Sequence, residues 1–204
     1  YTVIEDFESE EAAAGWQAGE NAAEAGLAEQ AWNVFFPYEG EKFLAIKSVP
    51  NLQNNVWRTA IRTFEQPLDL TDYRYLMMAY DHFGYLPNDK PYYARLRVHS
   101  GDSMEEGIVR VYNNQWNKIG IDLSGWEGRG AIDKLEVGFQ HAYDRADHPD
   151  DPLPDWPQTE FYVDYIHAAN KLDWQFSYDG DAEGWTIDGQ AAEPAVSGGA
   201  LAAA

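Results

Sequence analysis

The sequence contains no cysteine, few basic residues and no long apolar run. The absence of cysteine excludes disulfide bonds and thiolate metal sites. No apolar stretch approaches the roughly 20 residues that a helix needs to cross a bilayer. Only 14 lysines and arginines stand against 35 aspartates and glutamates, so the 204 residues carry a formal charge of −21. This excess of negative charge argues against nucleic acid or an anionic membrane surface as partner, because both would be repelled.

The short motifs of common enzymes are missing as well. The sequence has no H-E-x-x-H, no G-x-S-x-G and no glycine-rich phosphate loop. Its five histidines are scattered without the spacing of metal ligands. Carboxylates are so abundant that finding two of them together does not indicate glycosidase chemistry. The sequence therefore favours a protein that is not an enzyme.

Aromatic residues and strand signals are what the sequence has in abundance. Phe, Trp and Tyr make up 15% of the chain, and short runs of aromatic and β-branched residues alternate with turn residues. Residues 10–14 and 22–31 are rich in Ala and Glu and are compatible with short helices. Many short strands predict an all-β fold, a two-sheet antiparallel β-sandwich (jelly roll) over residues 1–170. The predicted strands are 32–36, 42–48, 55–64, 75–82, 92–99, 107–112, 116–123, 135–139 and 161–167.

One motif occurs twice. Phe7 is followed nine residues later by Trp16, and Phe176 is followed nine residues later by Trp185; each Trp is preceded by Gly. The second copy predicts that residues 171–204 are a linker and the start of a second, similar module. The chain also opens without Met or a basic segment, so we expect a processed or excised part of a longer protein.

Alternation along three predicted strands collects arginines and tyrosines on single faces. Within residues 92–99 the odd-numbered positions are mostly polar, and the even-numbered positions are mostly apolar. Strands 55–64 and 107–112 carry further arginines. We expect these side chains to form one polar surface that binds a ligand: Arg58, Arg62, Tyr93, Arg95, Arg97, Arg110 and Tyr112. The alternative is an ordinary solvated sheet whose arginines pair with Glu65, Asp81, Glu105 or Glu106.

Two tryptophans outside this set are assigned by their surroundings. Trp57 occupies an alternating position within its predicted strand and is expected in the core. Trp156 lies in the acidic, proline-rich segment 141–159, where burial is harder, so it is a further candidate for ligand binding. Long segments of this kind inside compact domains often carry function.

The segments WNKIGIDLSGW (116–126), IDKLEVGF (132–139) and FYVDYIHAA (161–169) follow the opening DFE at 6–8. In this order they resemble the calcium-stabilised β-jelly-roll carbohydrate-binding modules, galactose-binding-like in fold, of secreted glycoside hydrolases and other polysaccharide-active enzymes. The resemblance covers roughly residues 3–170. It implies an extracellular, non-catalytic module that is a monomer within a larger multimodular chain and binds a polysaccharide or oligosaccharide.

The same resemblance implies a structural calcium ion between the first and last strands. Carried over to this sequence, its carboxylate ligands are Asp6, Glu8 and Asp164, with Glu5 as an alternative near the start. Asp164 lies in an otherwise apolar strand, where an unpaired charge would be costly. Backbone carbonyls would complete the six to eight oxygen ligands of calcium. The alternative is that these residues are exposed acids of an acidic chain.

Sugars offer flat C–H faces and rings of hydroxyls, so their sites need aromatic platforms beside oriented hydrogen-bond donors. The expected polar surface supplies both. A ligand with uronate groups would use the pairing of Arg with carboxylate, and a neutral glycan is equally admissible. Two other functions stay open. One is a jelly-roll lyase that uses Tyr93 or Tyr112 with His99 and Arg97 on a uronate glycan. The other is a structural or adhesive spacer of a surface protein.

Overall fold

The chain divides into two compact units, Tyr1–Lys171 and Leu172–Ala204. The structure, a computed structural model, describes residues 1–29, 37–48, 56–83, 92–111, 116–141, 160–171, 195–197 and 200–202. In the second unit it describes two short strands, Ala195–Ser197 and Ala200–Ala202, which pair antiparallel. The interpretation of this unit as the start of a second module stays a prediction.

Strands make up nearly all the regular structure described in the first unit. They are β1 (Thr2–Glu5), β2 (Trp16–Ala18), β3 (Ala22–Ala28), β4 (Phe43–Ser48), β5 (Arg58–Leu68), β6 (Tyr75–Phe83), β7 (Tyr92–Ser100), β8 (Ser103–Val111), β9 (Asn117–Asp122), β10 (Ile132–His141) and β11 (Glu160–Ala169). Two short helical segments accompany them, helix α1 (Glu10–Ala14) and a 3-10 turn (Glu127–Gly130). Ser9 caps α1, because its hydroxyl accepts a hydrogen bond from the backbone N–H of Ala12.

The eleven strands of this unit form two sheets, and all the described pairings between them are antiparallel. The first sheet has the order β3–β4–β11–β6–β9, and β1 also pairs with β11. The second has the order β2–β5–β10–β7–β8. The apolar side chains of both sheets contribute to one large hydrophobic core. This arrangement confirms the two-sheet antiparallel β-sandwich that the strand pattern predicts.

Alternation along the strands builds the core and leaves the polar residues on the other side. On β7, Leu96 and Val98 are completely buried, and they lie opposite Val137 and Leu135 of β10, which are buried as well. Burial of each such aliphatic side chain stabilises the fold by about 1.5–3 kcal/mol. The residues between them point to the opposite side of the sheet, which is where the candidate site lies.

The expectation of a helix at residues 22–31 is wrong over Ala22–Ala28, which form β3. This strand pairs along β4, where Ala25 lies opposite Ile46 and Leu27 opposite Leu44. Its Ala and Glu content favours a helix locally, but hydrogen bonding to a neighbouring strand overrides that weak preference. The predicted strand at 32–36 lies outside the described residues.

The first copy of the repeated motif is part of the core. Phe7 and Trp16 are both buried, and their ring centroids are 5.9 Å apart. A Cβ atom on Gly15 would overlap the guanidinium of Arg62, so a side chain at this position would displace that group. The motif therefore places an aromatic pair in the sandwich and keeps space beside it for a charged group.

Candidate functional site

The outer face of the five-stranded sheet is the side of β5, β10, β7 and β8 that points away from the core. Arg97 of β7 lies between Glu136 of β10 and Glu106 of β8 in the strand register. Tyr93 lies in the same way between Gln140 and Arg110. Of the seven residues that were predicted to share one face, four do so: Tyr93, Arg95, Arg97 and Arg110.

Arg58 is a correction to that grouping, because it lies on the core side of β5. It is opposite Phe139, a buried core residue, and only 2% of Arg58 is exposed. Its Nη1 donates a hydrogen bond to the backbone oxygen of Val56 at 3.2 Å. Burial lowers the pKa of this guanidinium. Alternation places Arg58 and Arg62 together, as expected, but on the opposite face from Arg97.

Arg62 is the second correction, and it also has a role in the interior. It lies opposite the core residue Leu135. Its Nε is 3.2 Å from a carboxylate oxygen of Glu5, which is only 4% exposed. Its Nη1 donates to the backbone oxygen of Ala12, and its guanidinium stacks over the ring of Phe64. Arg62 therefore joins β1, α1 and β5 inside the sandwich.

Trp57 lies on the outer face, so its assignment to the core was wrong. The residue is half-buried just before β5, and a Cβ atom on Gly138 would lie 3.3 Å from its Cε3. The guanidinium carbon of Arg95 lies 4.3 Å from the centroid of the indole ring. Because Gly138 has no side chain, the indole can lie across β10 and stack on Arg95.

Four charged residues form a row beside this tryptophan, defined here as the ion-pair row: Arg95, Glu136, Arg97 and Glu106. Glu136 accepts hydrogen bonds from both arginines. Arg97 donates from Nη2 to Glu106 at 2.7 Å. Side-chain exposure rises along the row from 5% for Arg95 to 32% for Glu106. The pairing of Arg97 with Glu106 agrees with the solvated-sheet alternative, but Glu136 was not anticipated.

Glu136 could have been found from its position in LEVGF, where it separates Leu135 from Val137. An acid between two buried strand residues points away from the core and toward the neighbouring strands. The missing information was which strands flank β10, and that depends on the sheet order.

The ends of the outer face carry different groups. At one end His99 is opposite Lys134 and the exposed Met104. Burial lowers the pKa of His99, and the nearby charges of Lys134 and Arg97 lower it further. These effects favour the neutral form of the imidazole. At the other end is the half-buried phenol of Tyr93.

A second candidate site surrounds Asp164 on β11, whose side chain is fully buried. Its two carboxylate oxygens accept hydrogen bonds from the backbone N–H groups of Glu39, at 3.0 Å, and Tyr165, at 2.7 Å. Burial raises the pKa of Asp164 to about 7, although these N–H donors oppose the shift. The carboxylate of Glu8 raises the pKa further. Asp164 and Glu8 are thus close enough to repel each other.

The turn at residues 37–42 holds both carboxylates. Glu8 Oε1 accepts hydrogen bonds from Glu41 N at 2.9 Å and Lys42 N at 3.2 Å. Asp6 accepts from the backbone N–H of Glu8 at 3.2 Å. In the described part of the chain, no ion pair with Lys or Arg reaches Glu8 or Asp164.

The backbone around these carboxylates is unusual. Phe7, Gly40 and Tyr165 have φ angles of 57°, 65° and 47°, and β11 is bulged between Asp164 and His167. Left-handed conformations of Phe and Tyr are strained and persist only where the surroundings enforce them. Calcium prefers oxygen ligands such as carboxylates and backbone carbonyls, and this turn brings two carboxylates, Asp164 and Glu8, together. No group of three or more metal-binding side chains occurs among the described residues, so backbone oxygens would have to supply the other ligands.

Two of the predicted site residues cannot be placed, because Tyr112 and Trp156 lie outside the described residues. Glu5, the alternative calcium ligand, is paired with Arg62. Burial raises the pKa of Glu5 to about 7 despite that pairing. Among the described residues, no helix is long and apolar enough to cross a membrane.

The chain shares its fold with solved structures of carbohydrate-active proteins. An exo-β-agarase matches with a TM-score of 0.57 at 12% identity, over 85% of this chain and 25% of its own. A second agarase matches with a TM-score of 0.53 at 13% identity, over 84% of this chain and 26% of its own. A structure titled for the promiscuous specificity of carbohydrate-binding modules of the β-sandwich superfamily matches with a TM-score of 0.52. Its identity is 13%, over 83% of this chain and 62% of its own.

This chain spans about a quarter of the length of each agarase. No family model matches the sequence. No curated protein matches it either. At these identities the likeness shows the fold alone, a β-sandwich.

Proposed function

We propose that residues 1–171 form a non-catalytic carbohydrate-binding module whose ligand lies on the outer face of the five-stranded sheet. The observation that carries the proposal is the placement of Trp57 and Tyr93 on the same face as the partly exposed Arg97 and Glu106. Aromatic rings stack on the C–H faces of sugars, and adjacent charged groups make oriented hydrogen bonds to the hydroxyls.

The residues of this face have different roles in the proposal. Tyr93 and Trp57 are the platforms. Arg97 and Glu106 face the ligand, because they are the more exposed members of the ion-pair row. Arg95 is enclosed between Trp57 and Glu136 and acts as a positioning residue, holding the indole and the carboxylate in place.

A calcium ion at Asp164 and Glu8 is the second part of the proposal. It is supported by two neighbouring carboxylates without a described cationic partner and by the strained backbone on both sides of them. The ion would link β11 to the turn at 37–42 and to the segment after β1. Asp6 would act by orienting Glu8 through its backbone hydrogen bond. Calcium would supply charge neutralisation and stability, not chemistry.

The module is proposed to be a secreted, monomeric part of a longer chain that it directs to a polysaccharide. The two agarases support the idea of a longer chain, because the matched portion is about a quarter of each of those chains. The lyase alternative is weaker, since Arg97 is engaged by Glu106 and Glu136 rather than being open to a uronate. The spacer alternative predicts that no polysaccharide binds.

Affinity electrophoresis of the 204-residue chain tests the proposal. Gels containing agarose, xylan or mixed-linkage β-glucan should retard the chain in at least one case, and Tyr93→Ala should restore most of its mobility. Tyr73→Ala is a matched control, because this partly buried tyrosine packs against the core away from the outer face. Uniform mobility on an extended polysaccharide panel would favour the spacer.

A further inference from the structure

The charges in the middle of the outer face are compensated pairwise. All three nitrogens of the Arg97 guanidinium donate to carboxylates: Nε and Nη2 to Glu106 at 3.0 and 2.7 Å, and Nη1 to Glu136 at 3.4 Å. Glu136 accepts from Arg95 at the same oxygen. The ion-pair row therefore alternates in sign, and its formal charges cancel.

We infer that this compensation restricts the outer face to uncharged polysaccharides, and that Glu106 is the residue that rejects acidic ones. The inference rests on the proposed function of the same face. It selects one of the two ligand classes, neutral or uronate-containing, that the arginine content of the strands leaves open.

The hydrogen-bonding chemistry of the row supports a neutral ligand. A sugar hydroxyl both donates and accepts hydrogen bonds. It can therefore accept a hydrogen bond from an N–H of Arg97 and donate one to the carboxylate of Glu106 at the same time. An ionised carboxylate only accepts. To reach Arg97 it must approach the Glu106 carboxylate, which is already bound to two nitrogens of that guanidinium. Like charges at such short range disfavour binding.

The charge of the whole chain acts in the same direction. With a formal charge of −21, the protein repels a polyanion before contact, over distances of about 10 Å at moderate ionic strength. Lys134 and Arg110 add positive charge, but they lie at the two ends of the outer face. Lys134 is the register partner of His99, and Arg110 is the register partner of Tyr93. They leave the centre of the ion-pair row neutral.

Glu106 suits a test of this role because its side chain is 32% exposed. Replacing it with Gln removes the repelling charge, keeps a hydrogen-bonding group and removes no buried packing. Glu24 offers a matched control: it is also an exposed carboxylate in an ion pair, with Lys47 at 3.2 Å, but it lies on β3 of the other sheet. Glu24→Gln changes the net charge by the same amount.

The experiment measures binding of the 204-residue chain to two sets of polymers at low and high salt. Neutral probes are agarose, xylan, mixed-linkage β-glucan and fully methyl-esterified polygalacturonate; acidic probes are polygalacturonate and alginate. We expect the best neutral probe to bind at least tenfold more tightly than any acidic probe, with little salt dependence. Glu106→Gln should raise the acidic-to-neutral affinity ratio about tenfold at low salt, and Glu24→Gln should leave it unchanged.

Two results would overturn the inference while leaving the binding face intact. One is an acidic probe that binds more tightly than every neutral probe and is weakened by salt. The other is a ratio that rises no more in Glu106→Gln than in Glu24→Gln. Failure of the proposed function is distinct, because then no probe of either set binds.

Discussion

Trp57 is the residue whose position most changes the view of the binding face. Its indole stacks on Arg95 at 4.3 Å, and Arg95 in turn is paired with Glu136. We predict that Trp57→Ala weakens glycan binding roughly tenfold, which corresponds to about 1.4 kcal/mol. The loss includes both the platform and the anchor of Arg95. Isothermal titration calorimetry measures it directly.

The control for that substitution is Tyr75→Ala. Tyr75 also carries a stacked arginine, Arg74 at 4.9 Å, but it lies on β6 of the other sheet. The Tyr75→Ala substitution should leave the affinity for the glycan unchanged. Equal losses in both variants would mean that the effect comes from general destabilisation, and the assignment of Trp57 would fail.

The glycine of the repeated motif, Gly15, leaves space for the guanidinium of Arg62. Gly15→Ala should destabilise the fold by about 1–3 kcal/mol, because the new methyl group displaces the Arg62 guanidinium from its pairing with the buried Glu5. Urea denaturation measures the change. Gly26→Ala is the control, since a Cβ atom there contacts nothing within 4 Å. A loss for Gly15→Ala no larger than that for Gly26→Ala would contradict this packing.

At the level of strands, alternation predicts which residues share a face but not which face lies outside. It correctly grouped Tyr93 with Arg97, because the alternating apolar residues Ala94 and Leu96 must face the core. On β5 both sets of positions are mixed, so the pattern did not show that Arg58 points inward and Trp57 outward. The pairing of β5 with β10 decides which side of β5 faces the core. Because the two strands are far apart in the sequence, the residues around β5 do not reveal this pairing.

The buried carboxylate of Asp164, beside the bulge in β11, should make the free energy of unfolding depend on pH. Burial raises the pKa of Asp164 to about 7, so between pH 4 and 7 the folded chain holds a proton that the unfolded chain has released. Without calcium, we predict that the free energy of unfolding falls as the pH rises through this window. Asp164→Asn should reduce the slope, and Glu5, whose pKa is also raised to about 7, retains part of it.

Urea denaturation at several pH values in chelator measures that slope. If the stability instead rises from pH 4 to 7 and Asp164→Asn leaves the dependence unaltered, the buried carboxylate does not contribute as described.

Calcium bound at Asp164 on β11 should stabilise the folded protein. An ion bound only by the folded state stabilises it by mass action, by about 2.7 kcal/mol at one hundred times its Kd. Adding calcium to chelated protein should therefore raise the Tm, and Asp164→Asn should abolish the rise. Magnesium at equal concentration is a control for ionic strength. An unchanged Tm, together with no metal detected by elemental analysis, would show that Asp164 and Glu8 do not bind calcium.

For the whole molecule, composition and strand rhythm were enough to predict a β-sandwich, because many short strands without helical periodicity have few other ways to bury a core. The site was predicted only in part. Tyr93 and Arg97 came from alternation, whereas Glu136 and Trp57 depend on the order β5–β10–β7 within the sheet. The sequence also proposes a rival location at Trp156, outside the described residues.

The central claim is that the glycan lies on the outer face of the five-stranded sheet. Nuclear magnetic resonance of the 204-residue chain, titrated with an oligosaccharide of the polymer that retards it, tests this claim most directly. We predict that the shifted resonances cluster at Trp57, Tyr93, Arg97, Glu106 and Glu136. Shifts confined to residues 142–159 around Trp156, with the outer face unchanged, would contradict it.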